Sequence, residues 1–125
     1  MEKLSFVVVD DAVFMRTLLK KMIEEVEGYT VVGEGSNGYE AIEKAKLFQP
    51  DVMTLDITMP ELDGINAVSE VLKFSPNTKI IMVSAMGQQS MVIEAIKLGA
   101  KDFVVKPFEK SRVVQAIKNV LSENS

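Results

Sequence analysis

The sequence predicts an α/β fold, a (βα)5 doubly wound domain built on a parallel five-stranded sheet. Three observations carry this reading. Five short β-rich runs alternate with five segments of helical spacing. Several of those runs are nearly continuous apolar stretches, the pattern of strands buried on both faces. Strict strand–helix alternation places helices on both faces of a parallel sheet, and right-handed crossovers wind it twice. The 125 residues, 47% hydrophobic and 26% charged, suit a single domain spanning residues 1–125.

The elements follow in order. The first strand is read at Leu4–Val9. Phe14, Leu18, Met22 and Val26 then recur every four residues as a helical stripe. Gly28 stands where a glycine would stop that helix. The second strand is Tyr29–Gly33, followed by the stripe Ala41, Ile42, Ala45 and Phe48. Asn37 with Glu40 has the spacing of a capping box. After Pro50 comes the third strand, Asp51–Leu55, and a helix marked by Ile65, Val68 and Leu72. Pro76 falls in the connection to the fourth strand, Lys79–Val83. Met91, Val92, Ala95 and Ile96 mark the fourth helix, which Gly99 ends. The fifth strand is Asp102–Val105, and the fifth stripe is Val113, Val114, Ile117, Val120 and Leu121.

Composition removes whole classes of chemistry. There is no cysteine and no histidine, so thiol catalysis, zinc ribbons, serine–histidine triads and phosphohistidine carriers are excluded. A net charge of −4 disfavours nucleic-acid binding. No apolar run nears the ~20 residues of a membrane span. The apolar Phe6–Val9 ends at once in Asp10-Asp11, unlike a signal peptide. A cytoplasmic protein with no membrane association is expected.

In an open α/β sheet, ligands bind beyond the carboxyl ends of the strands. The first strand ends in Asp10-Asp11, the third in Asp56, the fourth in Ser84 and the fifth in Lys106-Pro107. Each residue has an ordinary alternative: a helix cap for Asp10-Asp11 and Ser84, a turn former for Asp56, a solvated charge for Lys106. Their meeting at one sheet edge is harder to explain that way. Neighbouring carboxylates repel and raise one another's pKa. Oxygen-only donors point to a hard divalent ion, Mg²⁺ or alternatively Mn²⁺. An aspartate beside it is a nucleophile towards phosphorus, and phosphoryl transfer asks mainly for positioning and charge.

The motifs Val9-Asp10-Asp11, Asp56-Ile57-Thr58-Met59-Pro60-Glu61-Leu62-Asp63-Gly64, Ser84-Ala85 and Lys106-Pro107 resemble bacterial two-component receiver domains, in family order and over nearly the whole chain. The resemblance implies the flavodoxin-like strand order 2-1-3-4-5. It implies that Asp56 is the phospho-acceptor and that Asp11 binds Mg²⁺ directly, with Asp10 holding waters of the metal shell. The backbone carbonyl of Thr58 would complete the coordination. Ser84 and Lys106 would each contact a phosphoryl oxygen, and the Lys106-Pro107 bond would be cis. A histidine kinase is the implied donor, and the output face is the fourth helix, fifth strand and fifth helix. Lys97, Lys101, Val105, Lys110 and Lys118 are its exposed candidates. The chain is expected to signal as a monomer rather than act as an enzyme, while assisting its own phosphorylation and dephosphorylation.

The stretches Asp11–Arg16, Ser84–Ile93 and Gly99–Phe108 are similar to single-domain chemotaxis regulators, which implies a flagellar motor switch target and a possible phosphatase. The end at Ser125 fits, since no DNA-binding module follows. A phosphorelay intermediate, or a receiver cut from a longer regulator, remains the alternative. Two departures bear on mechanism. Phe103 occupies the aromatic switch position, where many chemotaxis members carry Tyr. Met86 stands where some members orient the hydrolytic water; with Thr58 it would tune dephosphorylation. A decoy also occurs: Gly33-Glu34-Gly35-Ser36-Asn37-Gly38 fits the dinucleotide pattern. It follows the second strand rather than the first, and its plainer reading is a turn of glycines with positive φ. A flavin carrier on the same strand order would need a phosphate-binding loop after strand one, where two aspartates stand instead.

Overall fold

The computed structural model describes residues 3–122. Five parallel strands form one sheet in the order β2-β1-β3-β4-β5. They are β1 (Leu4–Val9), β2 (Tyr29–Gly35), β3 (Val52–Asp56), β4 (Lys79–Ser84) and β5 (Asp102–Val105). Between and after them run α1 (Val13–Glu24), α2 (Gly38–Phe48), α3 (Gly64–Phe74), α4 (Gln89–Leu98) and α5 (Lys110–Leu121). Strand side chains alternate between two apolar layers, as a period of two requires. Val7, Val9, Met53, Leu55, Ile80 and Met82 pack on α2, α3 and α4. Phe6, Val8, Val52, Ile81, Val83 and Val104 pack on α1 and α5. The sheet is therefore doubly wound, as expected.

Several local expectations shift. β2 runs two residues longer, and β3 and β4 each include the polar residue at their end. In α1 the buried residues are Leu19 and Ile23, while Phe14 is 75% exposed. The fourfold spacing from Phe14 was real, but Met15, Leu19, Met22 and Ile23 form the stripe that meets the sheet. α1 also ends at Glu24, before Gly28. Gly28, at φ +91°, instead turns the chain into β2, and its carbonyl accepts from the Leu4 amide. Gly99 caps α4 as read, at φ +126°. Asn37 caps α2 by accepting from the Glu40 amide at 2.9 Å, whereas the Glu40 carboxylate reaches back to Ser36.

The glycines of the decoy have none of the positive φ expected of them. They are close-approach positions. A Cβ on Gly33 would strike the Phe48 ring, and one on Gly38 would sit 2.6 Å from the Leu62 carbonyl oxygen. The Gly38 amide donates to that same oxygen at 2.7 Å.

Gly64 is the tightest such position, because a Cβ there would collide with the backbone carbonyl of Asp56. Its amide also donates to the Ile57 carbonyl at 2.9 Å. The first turn of α3 thus fixes the backbone that carries Asp56. Gly64→Ala is expected to cost about 2–3 kcal/mol, an overpacking penalty against backbone. Gly28→Ala, strained in φ but in open space, costs about 1 kcal/mol. Urea unfolding of the two variants checks the order.

Candidate functional site

Register brings the reactive strand ends together. Val9 pairs with Leu55 and Asp56 with Val83, so Asp10 and Asp56 emerge side by side. Ser84 pairs with Val105, and the Lys106 amide donates to the Ser84 carbonyl at 2.7 Å. One oxygen from each of Asp10, Asp11 and Asp56 lies within 4.8 Å of the others. Asp10 and Asp56 are buried; Asp11 is exposed. Lys106 Nζ lies 3.1 Å from Asp10 Oδ2 and 3.4 Å from Asp56 Oδ2.

The surroundings hold these groups in place. The Asp10 carboxylate accepts from the Ala12 amide at 2.9 Å through Oδ1. This bond lies outside α1, whose N-cap is Ala12. Arg16 donates to the Asp10 carbonyl at 2.7 Å and pairs with Glu34 at 3.1 Å; sequence reasoning passed over this link. Asp10 Oδ2 is buried without a hydrogen bond. A buried carboxylate oxygen served by the Lys106 ammonium alone, beside two further carboxylates, is a donor set that suits a hard divalent cation.

Electrostatics agree with the geometry. Burial, then the Asp10 charge, pushes the Asp56 carboxyl up to about 6, against the opposing pull of Lys106. Burial alone would lower the Lys106 ammonium, but the Asp56 and Asp10 carboxylates outweigh it and hold it above its usual value.

The other expected residues lie around this centre. Ser84 is buried in β4, with its hydroxyl facing the Val104 carbonyl at 3.5 Å. Its side chain is turned toward β5 and is not hydrogen-bonded to Asp56. The Lys106-Pro107 peptide is cis. Thr58 is exposed, and its hydroxyl accepts from the Gln88 side chain at 2.9 Å. Phe103 is 37% exposed. The Arg112 guanidinium stands 6.0 Å from its ring centre and donates to its carbonyl at 2.6 Å. Beneath the β4–α4 loop lies a mostly apolar cavity of about 430 Å³, lined by Val92, Ile93, Phe103 and Val105 among others. Met86, at its rim, is 79% exposed.

The surface formed by α4, β5 and α5 differs from its reading in one respect. α4 buries only Val92 and Ala95; Met91 and Ile96, expected inside, are 43% and 40% exposed. The helix is apolar on more than one side, so spacing could not separate the packed face from the free one. Lys97, Lys101, Val105 and Lys118 are exposed as read. Lys110 is exposed but tied to Glu25 by a 2.9 Å ion pair. Among the described residues, no helix is long and apolar enough to cross a membrane.

The Asp56 shift has a defined consequence for stability. Its folded pKa of about 6 exceeds the ordinary 3.8. Between those values the folded state holds the extra proton, so stability falls as pH rises and the penalty is complete above them. In chelator-treated protein, Asp56→Asn is therefore more stable than wild type by about 2–3 kcal/mol at pH 7.5. That gap closes towards pH 4.5, as paired urea titrations will show.

Comparison with known proteins gives the same picture. Residues 6–118 match the response regulator receiver domain model. The chain is 61% identical over 113 residues to chemotaxis protein CheY of Thermotoga maritima, covering 90% of this chain and 93% of that protein. It is 53% identical over 115 residues to CheY of Bacillus subtilis, covering 92% and 95%. Among solved structures it resembles the CheX–CheY–BeF3–Mg²⁺ complex of Borrelia burgdorferi, with TM-score 0.91, 35% identity and coverage of 98% and 92%. The response regulator domain of Thermotoga maritima CheB superposes with TM-score 0.90 and 35% identity, covering 99% and 100%. A parallel 2-1-3-4-5 sheet, an acidic cluster at its carboxyl edge and relatives of this identity lead to one conclusion: the chain belongs to the response regulator receiver family, as a CheY-like receiver.

Proposed function

We propose that Asp56 accepts a phosphoryl group from a histidine kinase and that the chain, acting as a single receiver domain in the cytoplasm, then switches its α4–β5–α5 face to bind a chemotaxis target. The observation that carries this is the meeting of Asp10, Asp11 and Asp56 within 4.8 Å, with Lys106 Nζ 3.4 Å from Asp56. Asp11, Asp56 and the Thr58 carbonyl would hold Mg²⁺, with Asp10 acting through its shell; Mn²⁺ meets the same donors. The ion supplies positive charge that offsets the carboxylates and the phosphoryl oxygens.

The chain's own residues do the rest. An Asp56 carboxylate oxygen forms a bond to phosphorus as the phosphorus–nitrogen bond of the donor phosphohistidine breaks. The leaving imidazole keeps the electron pair and takes a proton from solvent. Lys106 turns from its two carboxylates to a phosphoryl oxygen. Ser84 leaves the long contact to Val104 and donates to another. The phosphoryl group brings about −2 charge and three strong acceptors.

Withdrawal of Ser84 opens the route by which Phe103 turns into the adjoining cavity. A phenyl ring makes that move without a hydroxyl to re-bond. The turn takes Phe103 from beside Arg112 and alters the α4–β5–α5 surface. There Ile93 and Ile96 form an exposed apolar pair one turn apart on α4, with Lys97 and Lys101 also exposed, suited to an amphipathic helix or peptide such as a flagellar motor switch segment. Phosphorylation acts as a population shift between two states of this face.

Incubation with Mg²⁺ and acetyl phosphate should add one phosphoryl group by intact mass, with none in Asp56→Asn or in excess chelator. Gain of phosphate by Asp56→Asn contradicts the assignment. Met86 offers no polar atom to orient a hydrolytic water. Met86→Glu is therefore expected to shorten the phosphorylated lifetime about tenfold, short of the full effect of a positioned base. An unchanged or longer lifetime contradicts that role.

A further inference from the structure

Gln88 is the N-cap residue of α4, yet its side chain makes no cap bond there. Ser, Thr, Asp and Asn are the residues favoured at that position. The amide is instead committed elsewhere. Its Oε1 accepts from the Ala85 backbone amide at 2.7 Å, and its Nε2 donates to the Thr58 hydroxyl at 2.9 Å. The Ala85 N–H can only donate, which fixes the orientation of the side-chain amide. Thr58 lies two residues past Asp56 and Ala85 one residue past Ser84. Gln88 thus bridges the two loops that border the acidic pocket.

Building on the phospho-acceptor reading, we propose that Gln88 is a positioning residue that tethers the β4–α4 loop in its unphosphorylated place and must release it for phosphorylation. Asp56 pairs with Val83, so Ser84 and Ala85 are the next residues off the sheet edge on the adjoining strand. A phosphoryl group on Asp56 needs donors from that direction. Ser84 points to Val104, and the Ala85 amide is occupied by Gln88. Ser84 must turn its hydroxyl, and the Ala85 amide becomes available only when Gln88 lets go, a release that the bond to Thr58 opposes. A neutral amide acceptor loses to a charged phosphoryl oxygen at the Ala85 N–H, because charge-assisted hydrogen bonds are about twice as strong. Release of Gln88 then frees the first turn of α4, which joins the chemistry to the output face.

The test compares wild type, Gln88→Met, Thr58→Val and the double variant. Met keeps the length of Gln but neither hydrogen bond. Backbone amide exchange at residues 85–90 is followed by NMR without phosphodonor, and phosphorylation by Mg²⁺ with acetyl phosphate is followed by mass. Gln88→Met should speed loop exchange and lower the acetyl phosphate needed for half-labelling, each by at least about two- to tenfold, the span for a single neutral hydrogen bond where two are lost. Thr58→Val should give a smaller change in the same direction and add little in the Gln88→Met background. A wild type that labels, with Gln88→Met unchanged or harder to label, overturns the tether alone. So does full additivity of the two substitutions. A wild type that takes no phosphoryl group overturns the underlying reading and the tether with it.

Discussion

The repulsion among three carboxylates at one sheet edge is the constraint around which the molecule is arranged. Asp10 and Asp56 are both buried, and Lys106 is the one cation paired with them in the described residues. Burial first, and then the Asp10 charge, lift the Asp56 carboxyl to about 6, and the single ammonium of Lys106 does not cancel them. That imbalance creates a demand for further positive charge, which a divalent cation would meet. In the proposed reaction, a phosphoryl group on Asp56 would change the balance again and draw Lys106 and Ser84 into new partnerships.

The rest of the fold serves to hold that edge. Two apolar layers fix the sheet, and register places Asp10, Asp56, Ser84 and Lys106 on neighbouring strand ends. Gly64 lets α3 press against the Asp56 backbone. On the far side the packing loosens: Ser84 makes only a long contact, a cavity lies beneath the loop, and Phe103 is half out of the protein. Rigidity around Asp56 and slack beside it would let a local charge placed there move a distant surface. Gln88 spans that boundary.

Much of this was legible in the chain. Continuous apolar strands, most of them followed by a polar residue, located the sheet and its polar edge, and the motif residues located the acidic cluster. What escaped had a physical reason in each case. Phe14 and Leu18 matched the period of a helix, but which apolar residue faces the sheet depends on how α1 rolls against it. α4 is apolar on several sides, so Met91 and Ile96 were assigned inward. Gly33 and Gly38 were read as needing positive φ, yet they are small because Phe48 and the Leu62 carbonyl come close, a contact between segments distant in sequence. Gln88 carried no signal at all, since its partners are set by tertiary structure.

The central claim is an acyl phosphate on one particular carboxylate. The most direct measurement is borohydride trapping after labelling with Mg²⁺ and acetyl phosphate, followed by peptide sequencing. Reduction of the acyl phosphate converts the acceptor aspartate to homoserine. The account predicts homoserine at position 56 and nowhere else. Homoserine at position 10 or 11, or none in protein that has gained phosphate, would contradict it.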